Sequence, residues 1–326
     1  MTARLSCLNA VPRGSRNGYQ AGRPPRLPQR RTLRPGRRPR SAHGISQQVG
    51  HNAAVVRASE IRAVVTDLDG TIVRTGGTIS PATRSAAAQL RDAGIPLIAA
   101  TARTPAGLSV LDSLAGQICG AVCCNGSLGW LPACREIVWQ DVLDLGVTKA
   151  VADLLAAELP DAAFGVYDGR EWAVTPTYFA ARGKWPTGPC RIEPLPRITR
   201  TSACAIGICH PRLPSAHIAA CLATGGISPE HASMSYGAPD ILDVAPPGID
   251  KGTGVSRLLA KLGIPAGQTI GFGDAPNDLP MFSHLGIAVA VANAHPEVIA
   301  AADIITAAVD DDGFARTLRD AGIIKG

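Results

Sequence analysis

The chain has 326 residues, of which 46% are hydrophobic and 18% charged, and its formal net charge is +6. This composition supports one large core or two moderate ones and excludes disordered, fibrous and collagen-like classes. No apolar run reaches the roughly 18 residues that a membrane-spanning helix needs, so a chain that crosses a bilayer is not expected.

The charge divides unevenly. Residues 1–59 hold twelve arginines, six prolines, no lysine and no acid, a charge of +12, whereas the remaining 267 residues carry 20 basic and 26 acidic side chains, a balance of −6. The body is therefore mildly acidic, and nucleic-acid binding by it is not expected. Segment 1–59, with Arg31, Arg34, Arg37, Arg38 and Arg40 clustered, shows no period on which a core could form and is expected to be a disordered Arg/Pro-rich tail. A solvated tail, a targeting segment, an upstream mis-start and a weak polyanion-binding arm all stay open as readings of it. A secretory signal does not, for want of a continuous apolar stretch. The nine cysteines are irregularly spaced and form no C-x-x-C. Reduced core thiols in a cytoplasmic protein are the expectation.

From residue 60 the texture changes. A β-branched run over 61–66 predicts a strand that ends in Asp67-Leu68-Asp69-Gly70-Thr71. Ser80-Pro81 opens a helix as N-cap and first-turn proline, and Gly94 closes it. An apolar strand over 95–100 runs into Thr101-Ala102-Arg103, and another over 121–124 runs into Asn125-Gly126. Strand, helix and strand at this spacing predict βαβ units in a parallel sheet. Residues 143–238 differ, with helices over 147–159 and 214–223 and short strands such as 164–167 and 203–209. They read as a second domain inserted into the first. The α/β pattern then returns: a helix over 253–262 closed by Gly263, a strand over 269–272 running into Gly273-Asp274, strands over 287–291 and 303–305, and a last helix over 314–319. The expected division is a tail 1–59, a first core part 60–142, an insert 143–238 and a second core part 239–326.

Open parallel sheets bind ligands at the carboxyl ends of their strands. Asp67, Thr101 and Asp274 stand where strand patterns end, and Lys251 opens a helix after the turn Pro247-Gly248. Two strand-end carboxylates suit a hard cation such as Mg²⁺, and one of them can act as a nucleophile once its charge is offset. Asp69, two residues past Asp67, can serve as general acid and then base. Gly70 lets the backbone approach a phosphate closely and present N–H groups to it. Asp278, four residues after Asp274, is a second candidate ligand, and Asn277 can orient a carboxylate or a phosphate. Thr101 can donate to a phosphoryl oxygen while Lys251 neutralises its charge. Each has a blander reading: a turn after a strand for D-x-D-G-T, an Asx turn for G-D-A-P-N-D, a helix cap for Thr101, a solvated charge for Lys251. Their order at four successive element ends makes coincidence a poor account.

Asp67-Leu68-Asp69-Gly70-Thr71, Thr101-Ala102-Arg103, Asn125-Gly126, Lys251-Gly252 and Gly273-Asp274-x-x-Asn277-Asp278 resemble the four motifs of the haloacid dehalogenase superfamily. The insert between the second and third motifs resembles the Cof-type subfamily, subfamily IIB. The resemblance covers about residues 60–326. It implies an α/β fold: a Rossmann-like three-layer parallel-sheet core with an inserted α+β cap domain of the C2B type. It further implies an aspartyl-phosphate intermediate on Asp67 and Mg²⁺ held by Asp67, the backbone carbonyl of Asp69, and Asp274, with Asp278 beside them. Gly70, Thr101, Ala102, Arg103, Asn125, Lys251 and Asn277 then fall at phosphate- or substrate-binding positions. Two departures stand out. Ala102 replaces the usual glycine of the second motif, and Ala275-Pro276 makes the fourth loop stiffer than usual.

The expectation is a Mg²⁺-dependent phosphomonoesterase for a small phosphorylated metabolite: a sugar phosphate, a nucleotide or a cofactor-type phosphate. A phosphotransferase of the same superfamily, such as a phosphohexomutase, is the alternative within the class, and a non-catalytic phospho-ligand-binding or regulatory protein is the alternative outside it. Lys251-Gly252-Thr253-Gly254 is not a P-loop. His210, His217 and His231 lack ligand spacing. In the insert, Tyr178, Arg182 and Lys184 are candidates for substrate contact, Arg182 for an anionic leaving group, against the plainer reading of a solvated face.

Overall fold

The computed structural model describes residues 40–41, 58–114, 116–182, 188–238 and 240–325. Most of segment 1–59, with the expectation of disorder made for it, lies outside the described residues, as do Lys184 and the side chain of Arg182. Two tail residues form a short strand, β1 (Arg40–Ser41). Then come β2 (Ala63–Thr66), α1 (Pro81–Asp92), β3 (Leu97–Ala100) and β4 (Ile118–Cys123). Helix α1 opens as its sequence requires: the Ser80 hydroxyl accepts the Thr83 N–H at 3.0 Å, and Pro81 occupies the first turn, where it lacks only a donor that would be unpaired anyway. Ile95, expected to begin a strand, instead donates its N–H to the Leu90 carbonyl at 2.9 Å and closes α1. Strand β4 starts three residues before its expected position and stops at Cys123, because Cys124 and Asn125 both take left-handed backbone angles (φ 52 and 51).

A hairpin, β5 (Leu128–Leu131) and β6 (Glu136–Gln140), widens the sheet in antiparallel fashion. Next come α2 (Leu145–Glu158), β7 (Ala163–Tyr167), β8 (Trp172–Val174), α3 (Pro176–Arg182), β9 (Cys190–Ile192), α4 (Leu195–Ile198), β10 (Ala205–Cys209), α5 (Ser215–Thr224), β11 (Ser233–Ala238) and β12 (Ile241–Ala245). The chain returns through α6 (Lys251–Lys261), β13 (Thr269–Gly273), α7 (Leu279–Phe282), β14 (Ile287–Val291), α8 (Pro296–Ala301), β15 (Ile304–Thr306) and α9 (Gly313–Asp320).

Among the described residues the strands form two sheets. The first has the order β1-β15-β14-β13-β2-β3-β4-β5-β6 and is parallel from β1 to β4. The chain leaves β2 towards β3 and β4 and later comes back on its other side with β13, β14 and β15. The crevice at the carboxyl ends of β2 and β13 is therefore the point where the winding reverses, where such sheets bind ligands. The second sheet has the order β11-β12-β10-β7-β8-β9. The insert expected over 143–238 shares its sheet with a later strand: β12 pairs antiparallel with both β10 and β11, so this sheet runs on to Ala245. The pairing partners lie more than thirty residues away in the case of β10, and no local pattern announces them.

Both faces of the first sheet are covered. Val64, Leu97, Ala99, Phe272 and Val289 pack with α1 and α9 on one side, and Val65, Ile98, Val122 and Ala290 pack with α6 and α7 on the other. The second sheet packs one face on α2 and α5 through Phe164, Val166, Ile206, Ile208, Leu242 and Val244. Its opposite face, with Tyr167, Trp172, Val174 and Ile241, joins the core of the first sheet. No helix of the described residues is long and apolar enough to cross a membrane.

Cys123, Cys124 and Cys204 are buried. Burial pushes the thiols of Cys123 and Cys124 well above their ordinary range, and that of Cys204 up to about 12. A raised thiol contributes stability that is intact below the unfolded pKa of about 8.5 and is lost as pH rises from there through the folded value. Each such thiol then removes about 1.4 kcal/mol per pH unit. The urea midpoint is therefore expected to fall steeply above pH ~8.5 and to fall less steeply in Cys204→Ala. Parallel slopes for the two proteins would show that the Cys204 thiol titrates as it does in the unfolded chain.

Candidate active site

Four loops meet at the reversal point. Asp67 directly follows β2, and its N–H bonds to the Phe272 carbonyl at 2.9 Å, which ties it to β13. Asp274 directly follows β13. Pro276 stands at the first position of the short 3-10 turn Pro276–Asp278, where the stiff Ala275-Pro276 pair costs no hydrogen bond. Asp278 folds back so that one carboxylate oxygen accepts the N–H groups of Asp274 and Ala275, at 3.0 and 3.1 Å. Lys251 is the first residue of α6, which begins two residues before its expected start because Asp250 caps it. Asp250 Oδ1 accepts the Thr253 N–H at 2.7 Å, and the Thr253 hydroxyl accepts the Asp250 N–H at 2.9 Å.

Lys251, whose blander reading is a solvated surface charge, is 1% exposed. Its ammonium donates to Asp67 Oδ1 at 2.6 Å and to Asp278 Oδ1 at 2.7 Å. The carboxylates of Asp67, Asp274 and Asp278 each place an oxygen within 4.8 Å of the others. Burial pushes the Asp67 carboxyl well above its usual range, and the neighbouring Asp278 and Asp274 charges add to this against the pull of Lys251. Asp274 is pushed up to about 6, chiefly by burial and then by Asp278. Burial by itself would lower the Lys251 ammonium, but the charges of Asp278 and Asp67 outweigh it, so Lys251 keeps its proton. With all three carboxylates ionised, one ammonium leaves two negative charges uncompensated. Hard oxygen donors with that deficit fit a divalent cation.

Asp69 does not join this cluster with its side chain. Its two carboxylate oxygens accept Arg103 Nη2 and Nε, each at 2.7 Å, in a bidentate pair. Thr101, buried beneath, accepts the Arg103 N–H on its hydroxyl at 3.1 Å. Gly70 takes φ +80, and a Cβ there would lie 2.3 Å from Asp274 Oδ2. Gly70→Ala is therefore expected to displace Asp274 and to weaken divalent-cation binding at least tenfold. The strain alone is about 1–2 kcal/mol. Calorimetric titration with Mg²⁺ checks this, and wild-type affinity in the variant would show that Asp274 is not needed for the ion.

Asn125 is buried, and its side chain bridges two elements. Its amide donates to Asp243 Oδ2 on β12 at 3.0 Å, and its oxygen accepts the Asn277 amide at 3.0 Å. A cavity of about 310 Å³ lies between the two sheets. The first-sheet loops line it with Asp67, Asp69, Thr101, Ala102, Arg103 and Lys251, the second sheet with Trp172, Ile241, Asp243 and Val244, and α3 with Tyr178. Tyr178, whose plainer reading is part of a solvated face, is 1% exposed. It crosses the facing pair Gly165 and Gly207, where a side chain on either would meet its ring or hydroxyl at 3.3 and 2.8 Å, and it stacks on Trp172 with centroids 6.1 Å apart.

All the motif residues singled out from the sequence thus border one crevice, with the Asp69 carboxylate turned aside to Arg103. Sequence reasoning passed over Thr71, whose hydroxyl donates to Asp274 Oδ1 at 3.0 Å, and Asn293, whose amide donates to the Gly70 carbonyl at 2.8 Å. It also passed over Trp172 and Asp243. Thr71 was within reach, as part of the D-L-D-G-T string; the other three carry no local signal.

A doubly wound α/β core whose strand ends gather carboxylates around a buried ammonium, under a second sheet, defines a class of hydrolytic or transfer centre for anionic substrates. Residues 64–318 match the model of the haloacid dehalogenase-like hydrolase family, and the chain belongs to that family. The protein YkrA of Bacillus subtilis (strain 168), named as a phosphatase, is 40% identical over 83 residues, which are 26% of this chain and 32% of that relative. The chain thus spans about a third of that relative's length. The HMP-PP phosphatase of Cronobacter sakazakii is 26% identical over 240 residues, 72% of this chain and 85% of the relative. A solved sugar phosphatase of subclass IIB of the superfamily superposes with a TM-score of 0.71 at 23% identity, covering 81% of this chain and 100% of that one. At that identity the likeness speaks for the fold: a Rossmann-like core bearing a cap.

Proposed function

We propose that the protein hydrolyses the phosphomonoester of a small metabolite, with Asp67 as nucleophile and Mg²⁺ as cofactor. The observation that carries this reading is the buried Lys251 ammonium bonded at once to Asp67 and Asp278, beside Asp274, at the floor of the cavity between the sheets. Phosphatase names among the relatives support the same reaction. Residues 143–238, together with β12, act in this reading as the cap over a core formed by the rest, and the substrate is a small molecule in a cytoplasmic setting.

Asp67, Asp274 and the backbone carbonyl of Asp69 would hold the metal, which supplies charge neutralisation at the phosphoryl oxygens when bound. Asp278 has one oxygen on Lys251 and the other on two backbone N–H groups. Its part is to hold the lysine and the loop in place. Asp67 attacks phosphorus with the carboxylate oxygen that does not bond Lys251, and the bond from phosphorus to the leaving oxygen breaks. Asp69 gives that oxygen a proton, then takes one from the water that cleaves the acyl phosphate and releases inorganic phosphate. Arg103 bonds both oxygens of Asp69, so the pair separates as substrate binds: Arg103 turns to the phosphate, and Asp69 takes up from solvent the proton that it gives to the leaving oxygen. Thr101 and Lys251 steady the phosphoryl oxygens as charge shifts among them.

The test is release of inorganic phosphate from a panel of phosphorylated metabolites, with Mg²⁺ or with EDTA. Linear release that requires Mg²⁺ is expected. A folded, metal-loaded protein that transfers phosphate to a second hydroxyl, or binds esters without turnover, would replace this reading with a phosphotransferase or a binding protein.

A further inference from the structure

Gly70 joins two peptide planes. The Asp69–Gly70 plane carries the Asp69 carbonyl, and the Gly70–Thr71 plane leads to the Thr71 hydroxyl, which donates to Asp274 Oδ1 at 3.0 Å. Glycine gives neither plane a preferred setting, because at φ +80 it has no side chain to restrict its backbone. Both planes must be held from outside. The N–H of the first donates to the Val73 carbonyl at 2.9 Å, and in a planar trans peptide the Asp69 carbonyl then points the opposite way. The second has a longer bond from its N–H to the Leu68 carbonyl, 3.2 Å. Its carbonyl is held more closely, by the Asn293 amide at 2.8 Å.

Asn293 lies in the loop between β14 and α8, and its partners there fix the orientation of its amide. The oxygen accepts the Val309 N–H at 2.8 Å, which leaves the nitrogen to donate to the Gly70 carbonyl. Val309 belongs in turn to the loop in which the Asp310 carbonyl and the Asp312 carboxylate hold Arg74, each at 2.9 Å. Two residues after Asn293, the His295 N–H donates to the Asp274 carbonyl at 2.7 Å. The loop over 292–295 thus grips both strand-end loops, at Gly70 and at Asp274. Asn293 itself is exposed, where a side chain adds little to the stability of the fold.

We infer that Asn293 is a positioning residue for the divalent-cation site: its amide sets the Gly70–Thr71 peptide, and through it the Asp69 carbonyl and the Asp274 carboxylate. This rests on the functional reading above, in which Asp67, Asp274 and the Asp69 carbonyl hold the ion. Without the Asn293 donor, Gly70 rotates more freely and the Thr71 hydroxyl loses its place on Asp274. Both oxygens then lose their setting. Removing a group that orients the ligands of a metal typically costs about 10- to 100-fold in affinity.

The experiment is calorimetric titration of the full chain with Mg²⁺ for wild type, Asn293→Ala and Asn293→Asp, beside urea unfolding of each in EDTA. Asn293→Ala is expected to weaken Mg²⁺ binding about 10-fold or more while its metal-free urea midpoint stays at the wild-type value. A tether that serves the fold alone would lower the midpoint and spare the affinity of the folded protein, and that result would overturn the inference. Asn293→Asp keeps the acceptor for Val309 but turns an oxygen on the Gly70 carbonyl. It too is expected to weaken binding, although its added charge by itself would favour the ion. Wild-type affinity in Asn293→Asp would overturn the inference, because the Val309 bond alone would then suffice. In phosphate release, the Mg²⁺ concentration for half-maximal rate is expected to rise in Asn293→Ala by the same factor as the calorimetric constant. No release even by wild type would remove the phosphomonoesterase reading, and the calorimetric result would still decide the role of Asn293. A wild type that takes up no Mg²⁺ would overturn the inference itself.

Discussion

Asp67→Asn is expected to lower phosphate release by about 10⁴-fold or more, the scale seen when a nucleophile is removed from an otherwise intact site. The amide keeps the shape of the carboxylate but cannot form the acyl phosphate. The same substitution takes a buried negative charge out of a cluster that has two in excess, while Lys251 keeps its 2.7 Å bond to Asp278. The metal-free variant should therefore be no less stable than wild type by more than about 1 kcal/mol in urea unfolding. Loss of activity with stability preserved assigns the effect to chemistry. Retained activity in the presence of Mg²⁺ would remove Asp67 from the mechanism.

Lys251→Met has the largest expected effect on the fold. Methionine fills the volume of the side chain's stem but leaves Asp67, Asp274 and Asp278 without a cation among them. Removing one partner of a buried ion pair typically costs about 3–5 kcal/mol, because the other charge stays buried and uncompensated. The sign with pH follows from the shifts already present. Asp67 and Asp274 bind protons more tightly folded than unfolded, so protonation favours the fold as pH falls, and the deficit grows as pH rises through about 6. Urea unfolding of the metal-free variant should show a larger loss at pH 8 than at pH 5, with part of it recovered on adding millimolar Mg²⁺. A loss that is the same at both pH values would mean that Lys251 acts through packing alone.

Much of the crevice is legible in the chain because it is local. A strand that ends in Asp67-Leu68-Asp69-Gly70-Thr71 and another that ends in Gly273-Asp274 each put a carboxylate at a strand terminus, whatever the rest of the molecule does. Ser80-Pro81 and Gly94 bound α1 by cap chemistry that acts over four residues. The Asp250–Thr253 box that starts α6 at Lys251, two residues ahead of the start expected at 253, is just as local.

Other features depend on distant partners. Taken singly, Lys251 reads as a surface charge, and only the return of α6 beneath β2 and β13 buries it between residues 184 and 27 positions away. Asp69 reads as one more carboxylate of the centre, yet Arg103, 34 residues on, draws it aside because a guanidinium matches both of its oxygens. Tyr178 reads as a solvated ring until two glycines on paired strands open a slot for it.

The α/β class and the placing of carboxylates at the ends of β2 and β13 can be read from the chain, since they follow from periodicity and from residues a few positions apart. The tertiary structure alone decided which carboxylates share the lysine, where the second sheet ends, and that Asp243 and Trp172 face the cavity. Those outcomes are set by strand pairing and sheet packing between segments far apart in the chain, and neither leaves a mark in the local pattern.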